Sequence, residues 1–179
     1  MDTRVQHLAP RARDLTTRPP ERRQVYSADG RYKLDLRLLA AERPVRVEAE
    51  WVDQQASHGE PAAWLRLLPH EWGPRTAVVA SSGAVVLLDD WIRRPSLLAL
   101  SLLDLRGEIV ACYGAEQIVQ LLGASVPEVM AVADRGLWCT GEPELSEDGR
   151  YLWQRSAGRQ LQLDLSNGDL RLCDRAADH

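Results

Sequence analysis

From Tyr32 to Leu38 the chain alternates strictly: Tyr32, Leu34, Leu36 and Leu38 fall on one face, and Arg31, Lys33, Asp35 and Arg37 on the other. A period of two predicts a β-strand with one dry and one wet face. After Pro44 the pattern repeats, with Val45, Val47, Ala49 and Trp51 opposed by Arg46, Glu48 and Glu50, so the two runs predict a hairpin. A polar stretch from Asp53 to Pro61 leads to a further run, Trp64 to Leu68, and residues 69–74 make the following loop. The middle of the chain reads differently. Residues 77–80, 84–88, 97–103 and 109–113 are continuous apolar runs, as expected of strands covered on both faces. Alternation returns over 150–173, which places the middle sheet between two outer layers.

Helical spacing interrupts the strands once, near 115–135. Ile118, Leu121 and Leu122 share one helical face, and Gly123 is placed to cap the C-terminus. Ser125-Val126-Pro127-Glu128 matches a capping box with proline in the first turn, and Gly136 is expected to end that second helix. Both helices are expected to cover one face of the central sheet.

A turn signal recurs beside the strands: Ser27-Ala28-Asp29-Gly30, Ser81-Ser82-Gly83 and Ser146-Glu147-Asp148-Gly149. The last copy runs on through Arg150-Tyr151-Leu152-Trp153 to Asp164-Leu165-Ser166-Asn167-Gly168-Asp169, and the middle one to Asp104-Leu105-Arg106-Gly107. Ser or Asp with Gly closes a tight turn, and Asp-x-x-Gly closes the next. These units resemble blades of a β-propeller of the WD40-like kind, over about two thirds of the chain. The chain departs from that family in lacking its Gly-His and Trp-Asp pairs, in lacking an Asp-x-x-Gly turn in the first unit, and in its helical insertion. A closed propeller takes about four blades or more, and there is material here for about three. The expected fold is therefore mainly β: about three antiparallel, propeller-blade-like sheets in an open or sandwich-like arrangement. The binding roles common among propellers are what the resemblance implies for function.

Charge refines this picture. The formal net charge is −4. Residues 1–24 hold six arginines against Asp2, Asp14 and Glu21, a balance of +3 that leaves −7 for the remainder. We read 1–24 as a basic, flexible arm and 25–179 as a single β-rich domain. An acidic body does not suit nucleic acid, and no apolar run is long enough for a signal peptide core or a membrane span, which together predict a cytoplasmic protein. Cys112, Cys139 and Cys173 each lie beside apolar residues and are expected to be buried free thiols.

Candidate chemistry is sparse. His7, His58, His70 and His179 have no partner at metal-binding helical spacing, and neither a nucleophile elbow nor a phosphate-cradling glycine loop is present. No catalytic residue, metal or cofactor is assigned. Asp89 and Asp90, at the end of an apolar run, and the acidic group around Glu142 and Glu144 are candidates for contacting a basic partner. Six tryptophans and no phenylalanine stand out. Trp51 and Trp153 are read as core, whereas Trp72 and Trp91, beside loop arginines, suit an interface. The partner-binding set is thus Trp72, Asp89, Asp90, Trp91, Glu142 and Glu144. The function expected is a non-enzymatic, bacterial-type protein-binding module, concretely an immunity protein occluding a basic toxin. Two alternatives stand beside it: a propeller-related enzyme or ligand binder with a loop site at His70, Glu71, Asp89 and Asp90, and a structural subunit of a larger β assembly.

Overall fold

A computed structural model of the chain describes residues 19–39, 45–57, 63–91 and 95–173. Among these, the first sheet holds β1 (Arg22–Tyr26), β2 (Tyr32–Leu39), β3 (Arg46–Asp53) and β4 (Ala63–Leu68). The second holds β5 (Pro74–Val79), β6 (Val85–Asp90), β7 (Leu100–Leu103) and β8 (Ile109–Tyr113). Helices α1 (Ala115–Leu122) and α2 (Val126–Val132) precede the third, made of β9 (Thr140–Leu145), β10 (Tyr151–Ser156), β11 (Arg159–Asp164) and β12 (Leu170–Cys173). Each sheet is an antiparallel meander with its strands in chain order. The fold is mainly β, in three four-stranded sheets with no closed barrel.

The recurring turn does the same work in the first and third sheets. Ser27 Oγ donates to Asp29 at 2.5 Å and accepts from the Tyr32 amide at 2.9 Å; Ser146 Oγ repeats both bonds, to Asp148 at 2.5 Å and from Tyr151 at 2.9 Å. The arginine that follows reaches across to the next hairpin end, Arg31 to Asp53 at 2.7 Å and Arg150 to Asp164 at 3.1 Å, and lies over the neighbouring tyrosine ring. Asp53 accordingly takes the place of Asp164 without a glycine in the turn: its carboxylate accepts from the Gln55 amide at 2.9 Å, as that of Asp164 does from Ser166 at 2.9 Å.

In the middle sheet this turn is one residue shorter. The closing bond runs from the Ser27 amide to the Tyr32 carbonyl and from Ser146 to Tyr151, but from Ala80 to Ala84. Because side chains alternate along a strand, that single residue decides which ones face which way. Counting from the closing residue, Leu34, Val86 and Trp153 are equivalent and all face forward, toward where the next sheet lies; Asp35, Leu87 and Gln154 face to the rear. The forward side of the first sheet (Leu34, Leu36, Ala49, Trp51) packs on the rear of the second (Val79, Val85, Leu87, Leu103). Val86, Leu88, Leu100 and Leu102 on the forward side of the second sheet pack with Ile118, Val119 and Leu122 of α1 and with Leu152, Leu161 and Leu163 on the rear of the third.

The outer seams repeat as well. The β7–β8 turn at Gly107 sits against Trp64 and Arg66 of β4, with Arg66 donating to the Arg106 carbonyl at 3.1 Å and pairing with Glu108. One sheet on, the β11–β12 turn at Gly168 sits against Ala111 of β8, and the Tyr113 hydroxyl donates to the Gly168 carbonyl at 2.8 Å. The three sheets are therefore stacked head to tail, with a like turn against each outer seam.

The middle layer is enclosed as the apolar runs predict for β6 and β7, every residue of which is buried, while its outer strand β8 is half exposed. Gly123 caps α1 in the left-handed region and Ser125 and Glu128 form the capping box of α2. Several expectations need correction. Trp153 is outward and half buried, because Leu152, Gln154 and Ser156 take the inward register of β10. Leu97 does not begin a strand; it is 85% exposed in the loop before β7. Gly136 lies beyond α2, which ends at Val132. Cys139 is a buried thiol, but Cys112 is exposed and Cys173 intermediate; all three are free. Arg22 to Gln24, assigned to the arm, belong to β1, and residues 1–18 lie outside the described residues.

Candidate functional site

Trp72 and Trp91, both singled out by the sequence, come together at one corner, where the β4–β5 loop crosses the end of β6. Trp72 and Gly73 both have positive φ, 65° and 83°, which turns the chain sharply into β5. The Trp91 amide donates to the Gly73 carbonyl at 3.0 Å, and Pro74 pairs with Asp90, so the loop and the strand end are locked together. A tryptophan in the left-handed region is strained, and such strain collects at functional sites. Trp72 and Trp91 are both partly exposed here.

Two arginines complete the corner, Arg75 being among the loop arginines that the sequence places beside Trp72. Arg23 of β1 lies 5.2 Å, and Arg75 of β5 4.6 Å, from the Trp91 ring centre. Arg23 also stitches the first two sheets together, donating to the Arg75 carbonyl at 2.9 Å and to that of Pro74. Burial, and then the nearby Arg75 cation, pull its pKa down to about 10. Cation–π contact with tryptophan offsets part of that cost, by about 0.5–2 kcal/mol per pair. No local motif marks Arg23: its role arises only when β1 meets β5, some 50 residues on.

The acidic candidates take other positions. Asp89 is fully buried at φ 56°, and its carboxylate accepts from the amides of Leu137, Trp138 (3.2 Å) and Asp90 (3.0 Å). Burial raises its pKa to about 7, against the pull of those three donors. Its task is to anchor the chain between α2 and β9; Gly136 must be glycine there, since a Cβ would run into the carboxylate. Asp90 is also buried, beside His70, whose pKa is lowered by burial against the opposing influence of Asp90 and the Leu98 backbone. Oδ1 of Asp90 has no hydrogen-bond partner among the described residues. Neither Asp89 nor Asp90 presents a carboxylate to a partner surface.

Glu142 and Glu144 stand on β9, away from the tryptophan corner in sequence and sheet, and are exposed. Glu142 pairs with Arg135, and Glu144 with Arg155 at 3.8 Å. Glu71 is partly exposed in the β4–β5 loop. The loop site imagined from His70, Glu71, Asp89 and Asp90 is thus divided, with Asp89 engaged by backbone amides. Among the described residues no group of three or more His, Cys, Asp or Glu is placed to hold a metal ion, and no helix is long and apolar enough to cross a membrane. No protein-family model matches the chain, and no curated protein or solved structure is significantly similar to it.

Proposed function

We infer that this chain is a non-catalytic protein-binding module, with an immunity-type inhibitor that occludes a toxin or effector as its concrete form. The observation that carries the reading is the corner itself: two part-exposed tryptophans, Trp72 on a strained turn and Trp91 with two arginines against its ring. Trp and Arg are the residues that dominate binding energy at protein interfaces. A cation desolvated next to another cation, as Arg23 is, gains from an incoming partner carboxylate or carbonyl. Glu142 and Glu144 offer a second, acidic patch suited to a basic region of the same partner.

The test compares tagged wild type with Trp91→Ala, Trp72→Gly and Arg75→Glu in capture from the native host. The expected result is one stoichiometric protein partner, with Trp91→Ala weakening the purified complex by about 2 kcal/mol or more. Retention of full affinity in all three variants removes the corner from the account. A neighbouring gene product whose toxicity is relieved by the wild type and not by Trp91→Ala would identify the partner class.

A further inference from the structure

Arg22 and Arg23 are neighbours on β1 and point to opposite sides of the first sheet. Arg22 meets the Asp35 carboxylate, as Arg31, Arg37 and Arg150 meet carboxylates elsewhere. Arg23 faces the second sheet instead. There its guanidinium donates to neutral carbonyls, that of Arg75 at 2.9 Å and that of Pro74, and no carboxylate pairs with it among the described residues. We propose that the corner is a carboxylate site, filled by an aspartate or glutamate side chain of the protein partner that pairs with Arg23 beside Arg75 and the Trp91 ring. The source of the carboxylate rests on the binding-module reading; the site rests on the chemistry of the corner.

Two guanidinium groups lean on one indole, 5.2 and 4.6 Å from its centre. The ring attracts each cation through its quadrupole but carries no net charge, so the charge of Arg23 stays uncancelled. Its lowered pKa, about 10, has the same origin: burial first, then the Arg75 cation. An incoming carboxylate supplies what the carbonyls do not, charge-assisted hydrogen bonds to a planar fork. The two carbonyls engage only part of the five N–H donors that a guanidinium carries. Arg23, Arg75, Trp72 and Trp91 all keep part of their surface exposed, which puts the corner within reach of a partner side chain. Chain neighbours select the kind of anion. Asp90 precedes Trp91 and Glu71 precedes Trp72, and the whole chain carries −4, so a doubly charged phosphate is opposed more than a single carboxylate. The partner thus brings negative charge to this corner, the opposite of what the acidic body suggests.

Side-chain NMR of the full chain tests the site without a partner, by following the Arg23 Nε–H and Trp91 Nε1–H signals during titration with sodium acetate. Saturable shifts of both are expected, absent with sodium chloride at the same ionic strength and weaker with inorganic phosphate. Arg23→Gln, checked for an unchanged circular dichroism spectrum, is expected to weaken acetate binding by about tenfold or more, and Arg23→Lys to restore part of it. The wild-type titration stands whether or not either variant folds. No saturable shift with acetate, an equal response to chloride, or tighter binding of phosphate overturns the carboxylate site. A captured partner that Trp91→Ala weakens and Arg23→Gln does not also overturns it, and leaves the binding-module reading standing. Saturable acetate binding with no partner in capture keeps the site and removes that reading.

Discussion

Asp89 ties the end of β6 to the backbone ahead of β9. Its pKa is about 7 by burial, against about 3.9 in the unfolded chain. The folded state therefore binds more protons than the unfolded one between about pH 4 and 7, and Asp89 withdraws stability as pH rises through that window. His70 acts oppositely. Its lowered pKa means that the unfolded state binds more protons below about 6.5, so stability falls as pH drops. The two trends oppose each other below about pH 6.5. Asp89→Asn is expected to lower stability by about 1–3 kcal/mol, and to leave a clear rise of stability with pH across that range. Urea titrations at several pH values check it; an unchanged pH slope contradicts the assignment. Asp35, held at about 2 first by its bond to Arg22, adds stability that is present above about pH 4 and lost toward pH 2. Asp35→Asn should flatten that acid limb.

At the scale of elements, the repeated Ser-Asp-Arg-Tyr turn predicts matched responses in distant places. Arg31→Ala and Arg150→Ala break equivalent bonds from exposed arginines to Asp53 and Asp164, so each should destabilise only slightly, and to a similar extent. Thermal melts of the two variants check this, and a large disparity contradicts the equivalence. These turns were legible because serine, aspartate and glycine each have a local reason to be there. So were β2 and β3 by their alternation, and both helix caps. β9 was not: Thr140-Gly141-Glu142-Pro143-Glu144-Leu145 carries no apolar rhythm, and proline is tolerated because the strand lies at a sheet edge. β1, Arg22–Tyr26, is marked by pairing with β2 and not by its own composition. Trp153 was misread because the period of two gives the faces of a strand but not which of them is covered.

Across the whole molecule, the middle sheet belongs to both cores. Leu87 faces the first sheet and Leu88 the third, and both are fully buried. Leu87→Ala and Leu88→Ala are each expected to cost about 2–5 kcal/mol. Each should lower the midpoint of one cooperative transition, seen alike by tryptophan fluorescence and circular dichroism. Separate melting of the first and third sheets would contradict a shared core. The candidate site was half legible at this scale: Trp72 and Trp91 stand out beside loop arginines, but only the packing of β1 on β5 brings Arg23 to them, and only three-dimensional burial withdraws Asp89 and Asp90 from the surface.

The proposed binding role is tested most directly by hydrogen–deuterium exchange of the chain, free and with its captured partner. The corner account predicts slowed exchange over 70–76 and 89–91, with no comparable change in the complex of the Trp91→Ala variant. Protection confined to other surfaces, with 70–76 and 89–91 exchanging as in the free chain, would contradict it.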